Sequence, residues 1–89
     1  KEYVAKGVRY YDKLGVGEFQ MESGVLKPGD EVVVTGPTTG ALIFKVEELR
    51  LTTAPVPEVK KGDRFSLPVP AKIRASDRLY LWRDKSLKS

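Results

Sequence analysis

One phrase recurs three times in the chain: a basic residue, a short corner, an aspartate, then an alternating apolar run. It reads LKPGDEVVV at Leu26 to Val34, VKKGDRFSLPV at Val59 to Val69 and IRASDRLYLW at Ile73 to Trp82. A chain broken so regularly by Gly-Asp corners has little room for helices. Gly29 and Gly62 can take the positive φ that other residues avoid. Asp30 and Asp63 can accept local amide N–H groups, and Pro28 pre-sets φ for its corner. The third copy has lost its glycine: Ala75-Ser76-Asp77 stands in its place. Each corner starts a strand whose alternate residues face a core: Val32 and Val34; Phe65, Leu67 and Val69; Leu79 and Leu81. The phrase is therefore about shape. Asp30, Asp63 and Asp77 lack the dense acidic spacing of a calcium loop.

The remainder parses into short strands. Tyr3 to Tyr11 is the first, and the turn DKLG, with Gly15 as its permissive residue, leads into Val16 to Glu22. SGVLKPGD forms a longer turn before Glu31 to Gly36. PTTG turns the chain into a fourth strand, Ala41 to Leu51, with a bulge expected near Glu47–Glu48. Ala54 to Lys61 holds two prolines and reads as a loop or a single 3₁₀ turn. Asp63 to Val69 and Asp77 to Trp82 follow, joined by PAKIRAS. Strands arriving at this rhythm indicate an all-β barrel or sandwich. In a chain this small a closed barrel is favoured, because closure removes exposed edges.

With 89 residues the chain is one domain at most. Residues 1–83 are expected to form a single β-barrel domain, a C-terminal piece of a larger protein, and 84–89 a frayed tail. The chain has no Cys and no His. Disulfides, Cys-ligated zinc, iron–sulfur sites, a Ser-His-Asp triad and an imidazole base are thereby excluded from it. Ser23, Ser66 and Ser76 have no histidine to activate them. GPTTGA at Gly36 to Ala41 lacks the lysine and following helix of a P-loop and reads as a hairpin turn. Glu47 and Glu48 are adjacent in a strand, so they point to opposite faces and cannot act as an acid/base pair. No catalytic, cofactor or metal residue is expected. No run approaches a membrane span, and the lack of Cys fits a cytoplasmic origin.

Charge is uneven. Residues 1–44 carry a net −1 and residues 45–89 a net +5. The bland reading of this excess is a solvated surface. The sharper reading is an electrostatic footprint for RNA or another acidic partner, comprising Lys60, Lys61, Arg64, Lys72, Arg74 and Arg78. Tyr80 and Trp82 lie two apart on the last strand and share a face. They either cover the barrel's outside, dock on the rest of the parent protein, or form a stacking platform for bases. Tyr3, Tyr10 and Tyr11 would extend that surface if the first and last strands are neighbours.

The spacing of these blocks resembles the second domain of EF-Tu-type translation GTPases. The matching residues are Glu22, Gly24, Leu26, Lys27, Gly29, Asp30, Val32, Val34 and Gly36, then Lys61, Gly62, Asp63 and Leu67, then Arg74, Asp77, Leu79 and Tyr80. A closer resemblance is to the C-terminal barrel of the collagenase-like peptidase family, type U number thirty-two. It rests on Tyr3-Val4-Ala5-Lys6-Gly7-Val8-Arg9-Tyr10, Gly29-Asp30-Glu31-Val32 with Gly36-Pro37, Val46-Glu47-Glu48-Leu49-Arg50, and Asp77-Arg78-Leu79-Tyr80. The resemblance implies a small closed antiparallel Greek-key barrel of six or seven strands, attached to a larger catalytic portion of the same parent chain. That portion is named for collagenase-like proteolysis, and several relatives resemble RNA-hydroxylating enzymes that use prephenate and an iron–sulfur cluster. Two functions are thus in view. One is a non-catalytic accessory barrel that docks on its catalytic portion and helps present substrate, RNA or protein. The other is a translation-factor-like barrel that binds tRNA or the ribosome within a GTPase.

Overall fold

The computed structural model describes residues 1–52 and 54–82. Among them there is no helix, and ten strands run in the order β1 (Glu2–Tyr11), β2 (Val16–Met21), β3 (Val25–Leu26), β4 (Glu31–Gly36), β5 (Gly40–Lys45), β6 (Leu49–Leu51), β7 (Ala54–Val56), β8 (Val59–Lys60), β9 (Arg64–Pro68) and β10 (Arg78–Leu81). Every pairing is antiparallel. Eight strands form one sheet in the order β5-β4-β10-β1-β2-β9-β6-β7, and β3 pairs with β8 beside it. β5 lies at one end of the sheet and β6 lies next to the other end, yet only residues 46–48 separate them in the chain. Three residues reach at most about 10 Å. The sheet must therefore curl until its two ends lie near each other, although no ladder joins them, and this makes it a barrel with one open seam.

The all-β, barrel-like class agrees with the sequence reading, but the strand count does not: ten short strands stand where six or seven were expected. The expected fourth strand is two. β5 pairs with β4, whereas β6 pairs with β9 and β7, so the chain changes partners at Val46–Glu48 instead of bulging within one ladder. The expected loop at 54–61 contains β7 and β8. Pro55 is tolerated because β7 is an edge strand, where no ladder hydrogen bond is needed on the outer side. The tail expected at 84–89 lies outside the described residues.

The barrel interior is filled by Val4, Phe19, Met21, Leu26, Val32, Val34, Val46, Leu49, Val59, Phe65, Leu67, Ile73, Leu79 and Leu81. Phe19 and Phe65 face each other across the β2–β9 ladder with their rings stacked at 5.8 Å. Ile73, from the segment before β10, is buried in the same core next to Gly17. Gly17 is needed there, since a Cβ on it would sit 3.2 Å from Ile73 and 3.0 Å from Phe19.

The three-fold phrase folds into three copies of one clip. In each, the aspartate amide donates to the carbonyl of the basic residue (Asp30 to Lys27, Asp63 to Lys60, Asp77 to Arg74). The basic residue's amide donates back to the carboxylate, at 2.9 Å in all three copies. The residue before each aspartate has positive φ: Gly29 at 96°, Gly62 at 97° and Ser76 at 73°. Each clip then grips one residue of another segment by both its backbone groups. Gly29 N–H donates to Val46, whose own N–H donates to Asp30; Gly62 and Asp63 hold Met21 in the same way; Ser76 and Asp77 hold Gly7. The phrase fastens three strands into the barrel, a tertiary use that local turn chemistry alone does not foretell.

Candidate functional surface

The outer face of β5-β4-β10-β1 carries the residues most suited to contact. Strand register lines up Ile43, Val33, Tyr80 and Tyr3 across four neighbouring strands. Tyr3 and Tyr80 meet edge to face, with centroids 5.7 Å apart and planes at 67°. The Lys1 ammonium sits 4.9 Å above the Tyr80 ring, a cation–π contact. Ile43 is 60% exposed and Trp82, beyond the end of β10, is 40% exposed. The Tyr3 hydroxyl donates to Glu22 Oε1 at 2.6 Å. Partial burial, then that hydrogen bond and the Glu22 charge, push the Tyr3 pKa up to about 12.

The candidate residues from the sequence fall on more than one surface. Arg78, Tyr80 and Trp82 share the outward side of β10, with Lys6 opposite Arg78 on β1. Arg64 lies on β9, three strands away around the barrel, opposite Gln20. Its Nε donates to Gln20 Oε1 at 3.2 Å and lies 3.9 Å from Glu18. Lys60 is in the small β3–β8 sheet, with Lys61 in the clip after it. Lys72 and Arg74 are exposed in the segment between β9 and β10. Of the tyrosines expected to extend the aromatic face, Tyr3 does so. Tyr10 packs against the core, and Tyr11 turns to Glu18, to which its hydroxyl donates at 2.9 Å. That bond is the first cause of an upward shift in the Tyr11 pKa.

The turn aspartates have structural partners. Asp77 is only 2% exposed. Its Oδ2 accepts the Arg74 amide and a short hydrogen bond from the Thr39 hydroxyl, which ties the third clip to the β4–β5 hairpin. A Cβ at Gly36 would collide with the same carboxylate. A second surface lies around Glu18, which is flanked by Arg9 at 3.5 Å and Arg64. Beside it a cleft of about 400 Å³ is lined by Leu14, Val16, Arg50, Ser66, Leu67 and Pro68 among others. Among the described residues no group of acidic side chains is placed to hold a metal ion. No helix there is long and apolar enough to cross a membrane.

All-β folds similar to this one occur in a translation factor and in the C-terminal domain of a peptidase-family protein. The structure superimposes on GDP-bound aIF5B from Aeropyrum pernix with a TM-score of 0.72, at 22% identity, over 97% of this chain and 17% of that one. It superimposes on the C-terminal domain of a protein assigned to the U32 peptidases in Geobacillus thermoleovorans with a TM-score of 0.86 at 15% identity, over 92% of this chain and 93% of that domain. In sequence it is 55% identical over 80 residues to a protein named collagenase from Porphyromonas gingivalis, covering 90% of this chain and 22% of that protein. It is 30% identical over 81 residues to an uncharacterized protease of Methanocaldococcus jannaschii, covering 20% of it. The chain thus spans about a fifth of the curated relatives it matches. No family model matches it. The resemblance to collagenase-like peptidases is carried by sequence identity, and the likeness to their C-terminal domain by fold.

Proposed function

We propose that the chain is a non-catalytic accessory barrel of a collagenase-like peptidase-type protein. It docks on the catalytic portion of the same parent chain and helps present substrate, protein or RNA, in the cytoplasm. Homology to a fraction of much longer proteins, matched in fold by a C-terminal domain, supports an accessory domain of that family. The observation that carries docking is the outer aromatic face, where Tyr3 and Tyr80 meet on β1 and β10 and the exposed Trp82 follows directly after β10. An aromatic cluster rimmed by Lys1, Lys6 and Arg78 has the composition of an interface centre. The basic residues are spread over separate parts of the barrel, which favours polypeptide over RNA as the substrate. The likeness to aIF5B concerns fold and supports no separate function.

Photo-cross-linking in the full-length parent tests the docking. A benzoylphenylalanine replacing Trp82 is expected to cross-link to the catalytic portion of its own chain. One replacing Leu14, 73% exposed in the β1–β2 turn, is not. Equal yields from both positions, or none from Trp82, would count against the docking face. The isolated 89-residue chain is expected to hydrolyse neither gelatin nor casein.

A further inference from the structure

The sheet has an unused edge on β5. Its hydrogen-bonding phase is fixed by two bonds on β4. Trp82 N–H donates to Glu31 C=O, and Val46 N–H donates to Asp30 C=O. In a strand the N–H and C=O of one residue point to the same side, and neighbours alternate. Glu31, Val33 and Thr35 therefore face β10, while Val32, Val34 and Gly36 face β5. Their partners Phe44, Leu42 and Gly40 turn their backbone groups toward β4. The N–H and C=O groups of Ala41, Ile43 and Lys45 consequently point off the sheet. β5 is the end strand of its sheet, and among the described residues no strand pairs with its outer side. The segment nearest this edge cannot zip onto it: Phe44, Lys45 and Glu47 face Pro68, Val69 and Pro70 across a cleft of about 260 Å³, and proline has no N–H to give.

We propose that this edge pairs antiparallel with the same edge of a second copy of the chain, about a two-fold axis at Ile43. The strand is self-complementary in that register. Ile43 faces Ile43 of the second copy, and Ala41 faces Lys45. The two lysines are held at opposite ends, and each residue pair exchanges two backbone bonds. The outer row Tyr3-Tyr80-Val33-Ile43 then continues into its symmetry mate, and the exposed Ile43 side chain gains a cross-strand partner. The interface is that of a strand edge and is small, so association is weak and concentration-dependent.

Sedimentation velocity of the 89-residue chain reads this directly. At about 0.3 mM the weight-average mass is expected to rise well above that of one copy, and on dilution to about 10 µM to fall back toward it. Ile43→Pro removes an edge N–H that the β4–β5 hairpin does not use, and Ile43→Lys places like charges face to face. Both are expected to abolish the dimer with the circular dichroism unchanged, while Leu14→Lys leaves it intact. Should Ile43→Pro not fold, amide exchange of the unmodified chain still decides: Ile43 and Lys45 are protected at high concentration only. A single copy at every concentration, a dimer that survives Ile43→Lys, or edge amides that exchange equally fast throughout would overturn the proposal.

Discussion

At position 76 the chain places serine where the two sister clips have glycine, and the backbone there is still left-handed, at φ 73°. A side chain in that region costs roughly 1–2 kcal/mol, less what glycine adds to the entropy of the unfolded chain. Ser76→Gly should therefore raise stability by up to about 1 kcal/mol. Gly29→Val or Gly62→Val should lower it by about 1–3 kcal/mol. Thermal melts compare the three, and unchanged midpoints for both glycine variants would refute the strained-turn account. The two glycines could be read from the sequence because only glycine sits at such φ without strain. Ser76 could not, because its conformation is imposed by the grip on Gly7. Tyr3 supplies a pH signal. Its pKa is raised from 10.0 to about 12, first by burial and then by the hydrogen bond to Glu22. The folded state holds the phenolic proton more tightly, so its contribution is complete below pH 10 and is lost as pH rises through 12. Alkaline absorbance titration should show a late-ionising tyrosine that disappears in Tyr3→Phe, and the variant's stability should fall less steeply over that range.

Strands show how far a sequence pattern reaches. β2, β9 and β10 were legible because one face is buried along each and alternation records it, whereas β1 and β4, which bury adjacent residues, were legible from β-branched and aromatic runs bounded by turns. β7 and β8 were not, because two or three residues carry no period and prolines argue against a ladder. The split of β5 from β6 was hidden because Ala41 to Leu51 holds no Gly or Pro to mark a break, and residue type does not record a change of partner. Beyond the β4–β10 ladder, the buried Asp77 adds a side-chain tie between the β4–β5 hairpin and the clip before β10. Its removal as Asp77→Ala orphans the Arg74 amide and the Thr39 hydroxyl and should cost about 2–3 kcal/mol. Gly36→Ala drives a methyl group into the same carboxylate and should cost a comparable amount. Because the clash needs both groups, the double variant should be more stable than the sum predicts by about 1 kcal/mol or more. Strict additivity in denaturant melts would show that the two do not meet.

Over the whole molecule, charge is the property that sequence conveyed least well. A +5 half-chain left open whether its charges share one surface, because antiparallel strands distribute consecutive residues to different walls of the barrel. Arg64 and Arg78 end up three strands apart. Composition records how many charges there are, and only strand order decides whether they converge. Trp82, the single tryptophan, reports on this. Its emission is expected to stay constant when a tRNA mixture is added at low salt to about ten times the protein concentration, beyond a weak phosphate attraction that salt removes. A saturable quench that Trp82's neighbours Arg78 and Tyr80 control would instead establish base stacking at this face.

Among the described residues the last strand in chain order, β10, occupies the middle of the sheet, between β4 and β1. Neither neighbour has its full set of partners until residues 78–81 arrive. During synthesis, at about 5–20 residues per second, the first nine strands can form at most two unconnected halves. The hairpin of β4 and β5 is then separate from the remainder, and the apolar faces of Val32, Val34 and Val4 wait uncovered. Folding of this domain is thus tied to completion of its final strand. A ribosome stalled even ten codons before Leu81 would carry an incomplete barrel with two open sheet edges, the form most exposed to proteases and to aggregation.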